Sequence, residues 1–197
     1  MTALALYEDL LRPSETRSLA ARSRVLYVAS GEASSIGANE AWYGREQASL
    51  RAGHEGATVL RWELTDWEPE DAKLAARVEL DPWAEYVVRC DRVDFPPGGV
   101  AYRHVHPGGG VRRMLHGALT IDRRVGEAVT YSAGESWHEG ADDPVLATAS
   151  ATEDTAFVRV LLLPAEWAGR RTITYVDPAD EEKPRLQRAT VLLEVAL

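Results

Sequence analysis

The sequence predicts an all-β fold. From Ala84 onward, short runs of β-branched and aromatic residues alternate with Gly- and Pro-containing turns, the pattern of a β-sandwich or barrel. Within those runs, Arg103-His104-Val105-His106-Pro107 sets two imidazoles two residues apart, so an extended strand projects both to one face.

Taken in order, residues 3 to 23 place Leu4, Leu6, Leu10, Leu11, Leu19 and Ala20 among charges at roughly helical spacing, interrupted by Pro13-Ser14-Glu15. This spacing predicts two short helices, the second capped by Ser14. Strands are expected at Val25 to Ala29, Ala41 to Tyr43 and Thr58 to Leu64. The acidic stretch Thr65 to Lys73, with Pro69 inside it, reads as a solvated loop or helical turn. Further strands are expected at Ala84 to Phe95, Gly99 to His106, Val111 to Asp122, Ala128 to Tyr131, Ser136 to Glu139, Val145 to Ala149, Ala156 to Leu163, Thr172 to Val176 and Ala189 to Val195. Asp177 to Lys183, charged and Pro-bounded, is expected to be a surface loop. The runs at 160–163 and 191–193 are candidates for core or for an interface.

The chain has 197 residues, 45% hydrophobic and 27% charged, which suits one domain with a sizeable core or one with an N-terminal extension. A formal charge of −9 gives no cationic footprint for nucleic acid. The single cysteine, Cys90, allows no intramolecular disulfide, and its apolar strand suggests a small buried thiol. Met1 to Asp9 lacks a basic segment ahead of an apolar run, and no stretch approaches the roughly 20 apolar residues of a membrane span. The expectation is a cytoplasmic protein without membrane or nucleic-acid partners.

Four of the five histidines, His104, His106, His116 and His138, fall between positions 104 and 138. His54, in Gly53-His54-Glu55-Gly56, reads as a solvated turn residue. With Pro96-Pro97-Gly98-Gly99 before the histidine pair and Gly108-Gly109-Gly110 after it, residues 85 to 165 resemble the cupin superfamily. The first cupin motif, G-x5-H-x-H-x3,4-E-x6-G, finds Gly98 or Gly99, His104, His106 and Gly117 in place, but Gly110 stands where an acidic ligand is expected. The second motif is more degenerate. Ala133-Gly134-Glu135-Ser136-Trp137-His138-Glu139-Gly140 opens it, yet the usual third histidine falls at Pro144 or Val145. A substitute ligand could be Glu139, which shares a strand face with Trp137, or His138, with His116 behind them.

The resemblance implies a double-stranded β-helix, or jelly-roll barrel, here with the short N-terminal helices and extra N-terminal strands. Residues 1–84 would pack on the barrel and 85–197 would form it. Val25 to Ala33 also echoes Arg113 to Leu119, as a degenerate half-cupin would or as any strand ending in a glycine turn would. The implied function is a dioxygenase-like mononuclear metal enzyme, isomerase or lyase chemistry being alternatives, acting on a small and in one reading anionic substrate. His104, His106 and Glu139 or His138 would hold the divalent ion, Fe(II) first, with Zn, Mn, Ni or Cu also suited to such ligands. Arg112 and Tyr102 are the candidate catalytic residues, facing the barrel to orient an anionic group. The competing reading is a non-catalytic small-molecule binding or sensing barrel that has lost its metal. Many cupins are dimers, so the resemblance also implies a homodimer.

Overall fold

In the computed structural model, which describes residues 2–66, 69, 71–123 and 126–197, the chain divides into two compact units, residues 1–83 with Leu197 and residues 84–196. The first unit contains β1 (Thr2–Leu11), β2 (Thr16–Leu19), β3 (Arg24–Ala33), β4 (Ile36–Gly37), β5 (Ala41–Gly44), β6 (Ala48–Thr65) and β7 (Leu74–Val78). Its sheet runs β4-β3-β6-β1-β7, with β2 on β6 and β5 on β3.

The expected N-terminal helices are strands. β1 pairs antiparallel with β6 from Ala3 opposite Thr65 to Leu11 opposite Ala57, and with β7 from Thr2 opposite Val78 to Leu6 opposite Leu74. The leucines that suggested helical spacing also alternate, Leu4 and Leu6 on one side and Ala3 and Ala5 on the other, all buried. Sheet pairing therefore overrides a local pattern that fits both periods. Ser14 caps no helix: its φ is 59° and its N–H donates to the Gly53 carbonyl. Leu11, Leu19, Leu26, Val28, Leu50 and Val59 form the core of this unit. At its polar end Asp9 pairs with Arg17 and Arg61 at 2.6 and 2.7 Å, and Glu63 with Arg61 and Arg24 at 2.8 and 3.2 Å. Its one histidine, His54, lies exposed on β6 rather than in a turn. The expected loop over 65–73 lies partly outside the described residues.

The second unit contains β8 (Tyr86–Phe95), β9 (Val100–Val105), β10 (Gly110–His116), β11 (Ala118–Arg123), β12 (Val129–Ser132), β13 (Ser136–Glu139), β14 (Val145–Ala149), β15 (Thr155–Pro164), β16 (Thr174–Tyr175) and β17 (Arg188–Ala196). Two five-stranded sheets, β13-β10-β15-β8-β17 and β12-β11-β14-β9-β16, make up the barrel. Val93, Phe95, Met114, Trp137 and Phe157 of the first meet Ala101, Leu119, Ile121, Val145 and Ala147 of the second in one core. The expected strand from Val111 to Asp122 is broken at Gly117, whose φ of 73° takes the chain from one sheet to the other. A side chain there would be strained and would also press on the Asp154 carbonyl at 2.5 Å.

β15 is central in its sheet and buried along nearly its whole length, so the 160–163 run is core. β17 ends that sheet, and Val191 on it is exposed. Among the described residues the helical segments are short 3₁₀ turns, Ala165–Trp167 and Pro178–Glu182, the latter capped by the Asp177 carboxylate on the Ala179 N–H. No helix among them is long and apolar enough to cross a membrane.

Candidate functional site

Strand alternation brings the histidine pair into the barrel. His104 on β9 and His106 just past its end are 4% and 2% exposed, their ring centroids 4.9 Å apart and nearly perpendicular. Each Nδ1 faces a carbonyl, Tyr102 O at 2.7 Å from His104 and Thr172 O at 2.8 Å from His106. A carbonyl only accepts, so both rings carry the proton on Nδ1 and present Nε2 as a lone pair. Burial holds both imidazoles below their ordinary value. The Tyr102 carbonyl opposes this at His104, whereas at His106 the Arg159 guanidinium, His104 and Arg112 push the same way and the depression is large. Both rings are therefore neutral at neutral pH.

Glu139 joins them. Strand β13 points Trp137 and Glu139 inward together, and the indole N–H donates to Glu139 Oε1 at 2.7 Å. Glu139 Oε2 lies 2.7 Å from Arg112 Nη2 and 3.9 Å from His106 Nε2. Burial alone would raise this carboxyl, but the Arg112 guanidinium and the indole outweigh it and hold it below the ordinary value. His138 points to the other side of β13. It does not line the cavity, and its carbonyl accepts from Arg123. Of the two candidates that the sequence left equal, Glu139 sits with the histidines. His116, at the far end of β10, is exposed.

Arg112 is fully buried, and burial pushes its guanidinium down to about 10. Its Nη1 donates to the Gly110 carbonyl at 2.5 Å, so the group expected to orient a substrate is engaged with Glu139 and its own strand. Tyr102 lends the site its carbonyl, while its ring lies 4.5 Å beneath the Lys183 ammonium.

The residue that sequence reasoning missed is Arg159. It stands directly opposite Arg112 on β10 and Asp91 on β8. Its Nε and Nη2 donate to the Asp91 carboxylate at 2.5 and 3.1 Å, and its Nη1 meets His106 Nε2 at 3.2 Å. Burial would lower this guanidinium, but Asp91 outweighs burial and raises it, so it is charged. Charges inside the apolar runs around Cys90 and Val160 were the available signal, since a charge in a buried strand needs a partner.

These residues do not fit a divalent cation. Among the described residues no group of three or more His, Cys, Asp or Glu side chains is placed to hold a metal ion. The reason is visible in the contacts: Arg159 occupies the lone pair of His106, and Arg112 lies against Glu139. With neutral imidazoles, the two guanidiniums already balance Glu139 and Asp91, and a dication would add two uncompensated charges to a buried site. Gly110 closes the remaining route. A Cβ there would lie 2.3 Å from the Val160 carbonyl, so an acidic side chain cannot enter without displacing β15. Gly110→Glu is expected to lower stability by about 1–3 kcal/mol and to leave the protein unable to retain Mn(II) or Fe(II), as urea denaturation and elemental analysis will read.

Beside the histidines lies a small cavity of about 50 Å³, lined by His104, His106, Glu139, Arg159 and Gln187 at polar points and otherwise by apolar side chains such as Phe157 and Ile121.

No protein-family model matches the sequence, and no curated protein does. Solved structures do match. The oxalate decarboxylase formate complex of Lactobacillus farciminis superposes with a TM-score of 0.70 at 12% identity, over 93% of this chain and 82% of that one. Oxalate decarboxylase from Bacillus subtilis at pH 4.6 gives 0.65 at 12% identity, over 92% and 72%. AerE from Microcystis aeruginosa gives 0.60 at 13% identity, over 80% and 87%. At such identities the likeness speaks of fold alone. The all-β architecture, the two antiparallel sheets enclosing an inward-facing histidine pair and these superpositions together make the chain a protein of the cupin fold.

Proposed function

We propose that this protein binds a small organic molecule inside the barrel of residues 84–196 and does so without a metal ion. One observation carries the reading: the Arg159 guanidinium, fixed by Asp91, donates to the nitrogen of His106 that would otherwise ligate a metal. In this reading Arg159 holds the place of the ion as a permanent internal cation, and the histidine pair serves as a set of hydrogen-bonding groups. The same arrangement supports a binding or sensing role over the oxidative chemistry that the histidine spacing suggests, because Lewis-acid activation needs open ligand positions.

Protein loaded anaerobically with Fe(II), Mn(II) or Zn(II) and then desalted is expected to retain far less than one ion per chain, with its urea midpoint unmoved. Retention of one ion per chain, lost in His106→Ala, overturns the proposal.

A further inference from the structure

The free polar atoms of the cavity specify a ligand class, an inference that rests on the metal-free reading above. His104 lines the cavity, and its Nε2 is an acceptor because its Nδ1 proton is committed to the Tyr102 carbonyl. Gln187 lines the same cavity, and its Oε1 is buried with no hydrogen-bond partner among the described residues. A buried acceptor left unmet is costly, and a ligand that donates to it recovers that cost. Donors are present as well: the Gln187 amide carries an NH2 beside its Oε1, and the Arg159 Nε and Nη2 hydrogens go to Asp91 and Thr172 and one Nη1 hydrogen to His106, which leaves one N–H.

A carboxylate could accept from Arg159 and the Gln187 amide, but it has no proton for the unmet Gln187 Oε1 and would stand beside the Glu139 carboxylate. An ammonium would bring a third cation beside Arg112 and Arg159, with Glu139 already engaged by Arg112 and Trp137. A hydroxyl suits what remains, giving one proton and accepting another. The rest of the wall, including Val93, Leu119, Ile121, Val145 and Phe157, is apolar and suits an alkyl chain. At about 50 Å³ the space is about a third of an apolar cavity able to hold benzene, or room for roughly four water-sized groups.

We infer that the barrel takes a small neutral alcohol of about two to three carbons, its hydroxyl donating to His104 Nε2 or Gln187 Oε1 and its chain lying on the apolar wall.

The test uses the full chain, stripped with chelator, and ligand-observed NMR titration of 1-propanol, propionate and propylammonium. Propanol is expected to bind in the millimolar range, as suits a ligand of so few atoms, with the two ions at least about tenfold weaker. His104→Leu and Gln187→Leu are each made and checked for folding by circular dichroism. At least one of them should weaken propanol about tenfold or more, and if His104→Leu does not fold, Gln187→Leu with the ligand series decides. Propionate or propylammonium binding as tightly as propanol, no propanol binding, or propanol binding indifferent to the substitutions overturns the inference. Binding of an ion by metal-free protein would sink the alcohol while leaving the metal-free reading intact; binding of any of these probes only after metal loading would sink that reading itself.

Discussion

Arg159→Met is expected to destabilise the protein by about 3–5 kcal/mol, the cost of leaving a buried carboxylate without its cation. Asp91 and Arg159 side chains are 2% and 6% exposed, so little solvent screening softens the loss. The same substitution removes the donor on His106 Nε2, which adds an unmet acceptor. The pair as a whole is a different matter, because desolvating two charges cancels much of their attraction. Asp91→Leu combined with Arg159→Met is therefore expected to recover most of the loss, whereas Asp91→Leu alone strands a buried guanidinium next to Arg112 and costs as much as the first single. Urea denaturation of the four proteins at pH 7.5 gives the cycle. Arg159→Met within 1 kcal/mol of the parent would show that the guanidinium is not held as described. The double variant also asks why the charges are there: if it is as stable as the parent yet no longer binds propanol, the pair exists for the cavity rather than for the fold.

The barrel was legible because its strands are bounded by Gly and Pro and alternate cleanly. The pattern buried-partial-buried over Val145–Ala149 is what a strand with one wet face requires, and the same alternation turned His104 inward and put Glu139 beside Trp137. The N-terminus is ambiguous because Leu4 and Leu6 fit a two-residue alternation while Leu4 and Leu11, seven apart, fit a helical one, and the choice between them lies in β6, more than forty residues away in sequence. Arg112 is buried, as the barrel-facing register implies, but its partner has no signal in the sequence. A barrel-facing arginine looks the same in sequence whether it greets a substrate or neutralises Glu139, and only the register of β10 on β13 and β15 decides. Asp91 and Arg159 lie in separate apolar runs, so their pairing across β8 and β15 had no local signature. The histidine spacing is a sign of the fold and says less about the chemistry, since Asp91 and Arg159, which set the charge around His106, come from strands outside both motifs.

Stability is expected to fall steeply as pH drops below about 6.5, the ordinary histidine value. His104 and His106 are both held below that value in the folded protein, His106 strongly, with burial the chief cause and Arg159 and Arg112 adding to it. Below pH 6.5 the unfolded chain takes up protons that the folded chain refuses, so unfolding gains about 1.4 kcal/mol per pH unit for each ring until its folded value is reached. Above that window both states are neutral and the two histidines add no slope. Glu139 acts lower down and in the same direction: its folded value lies below 4.5, so the stability it confers is present above 4.5 and is lost as pH falls through the folded value. His138, half-buried and also held below its ordinary value by burial and by Arg112, adds to this decline, so chemical denaturation from pH 7.5 to 5 should show a fall that His106→Gln reduces but does not abolish, because that variant removes one of three refused protons. A flat profile across this range would mean that the His104 and His106 imidazoles both take up protons in the folded state; a cationic His106 could not accept from Arg159, and the metal-free architecture would lose the contact on which it depends.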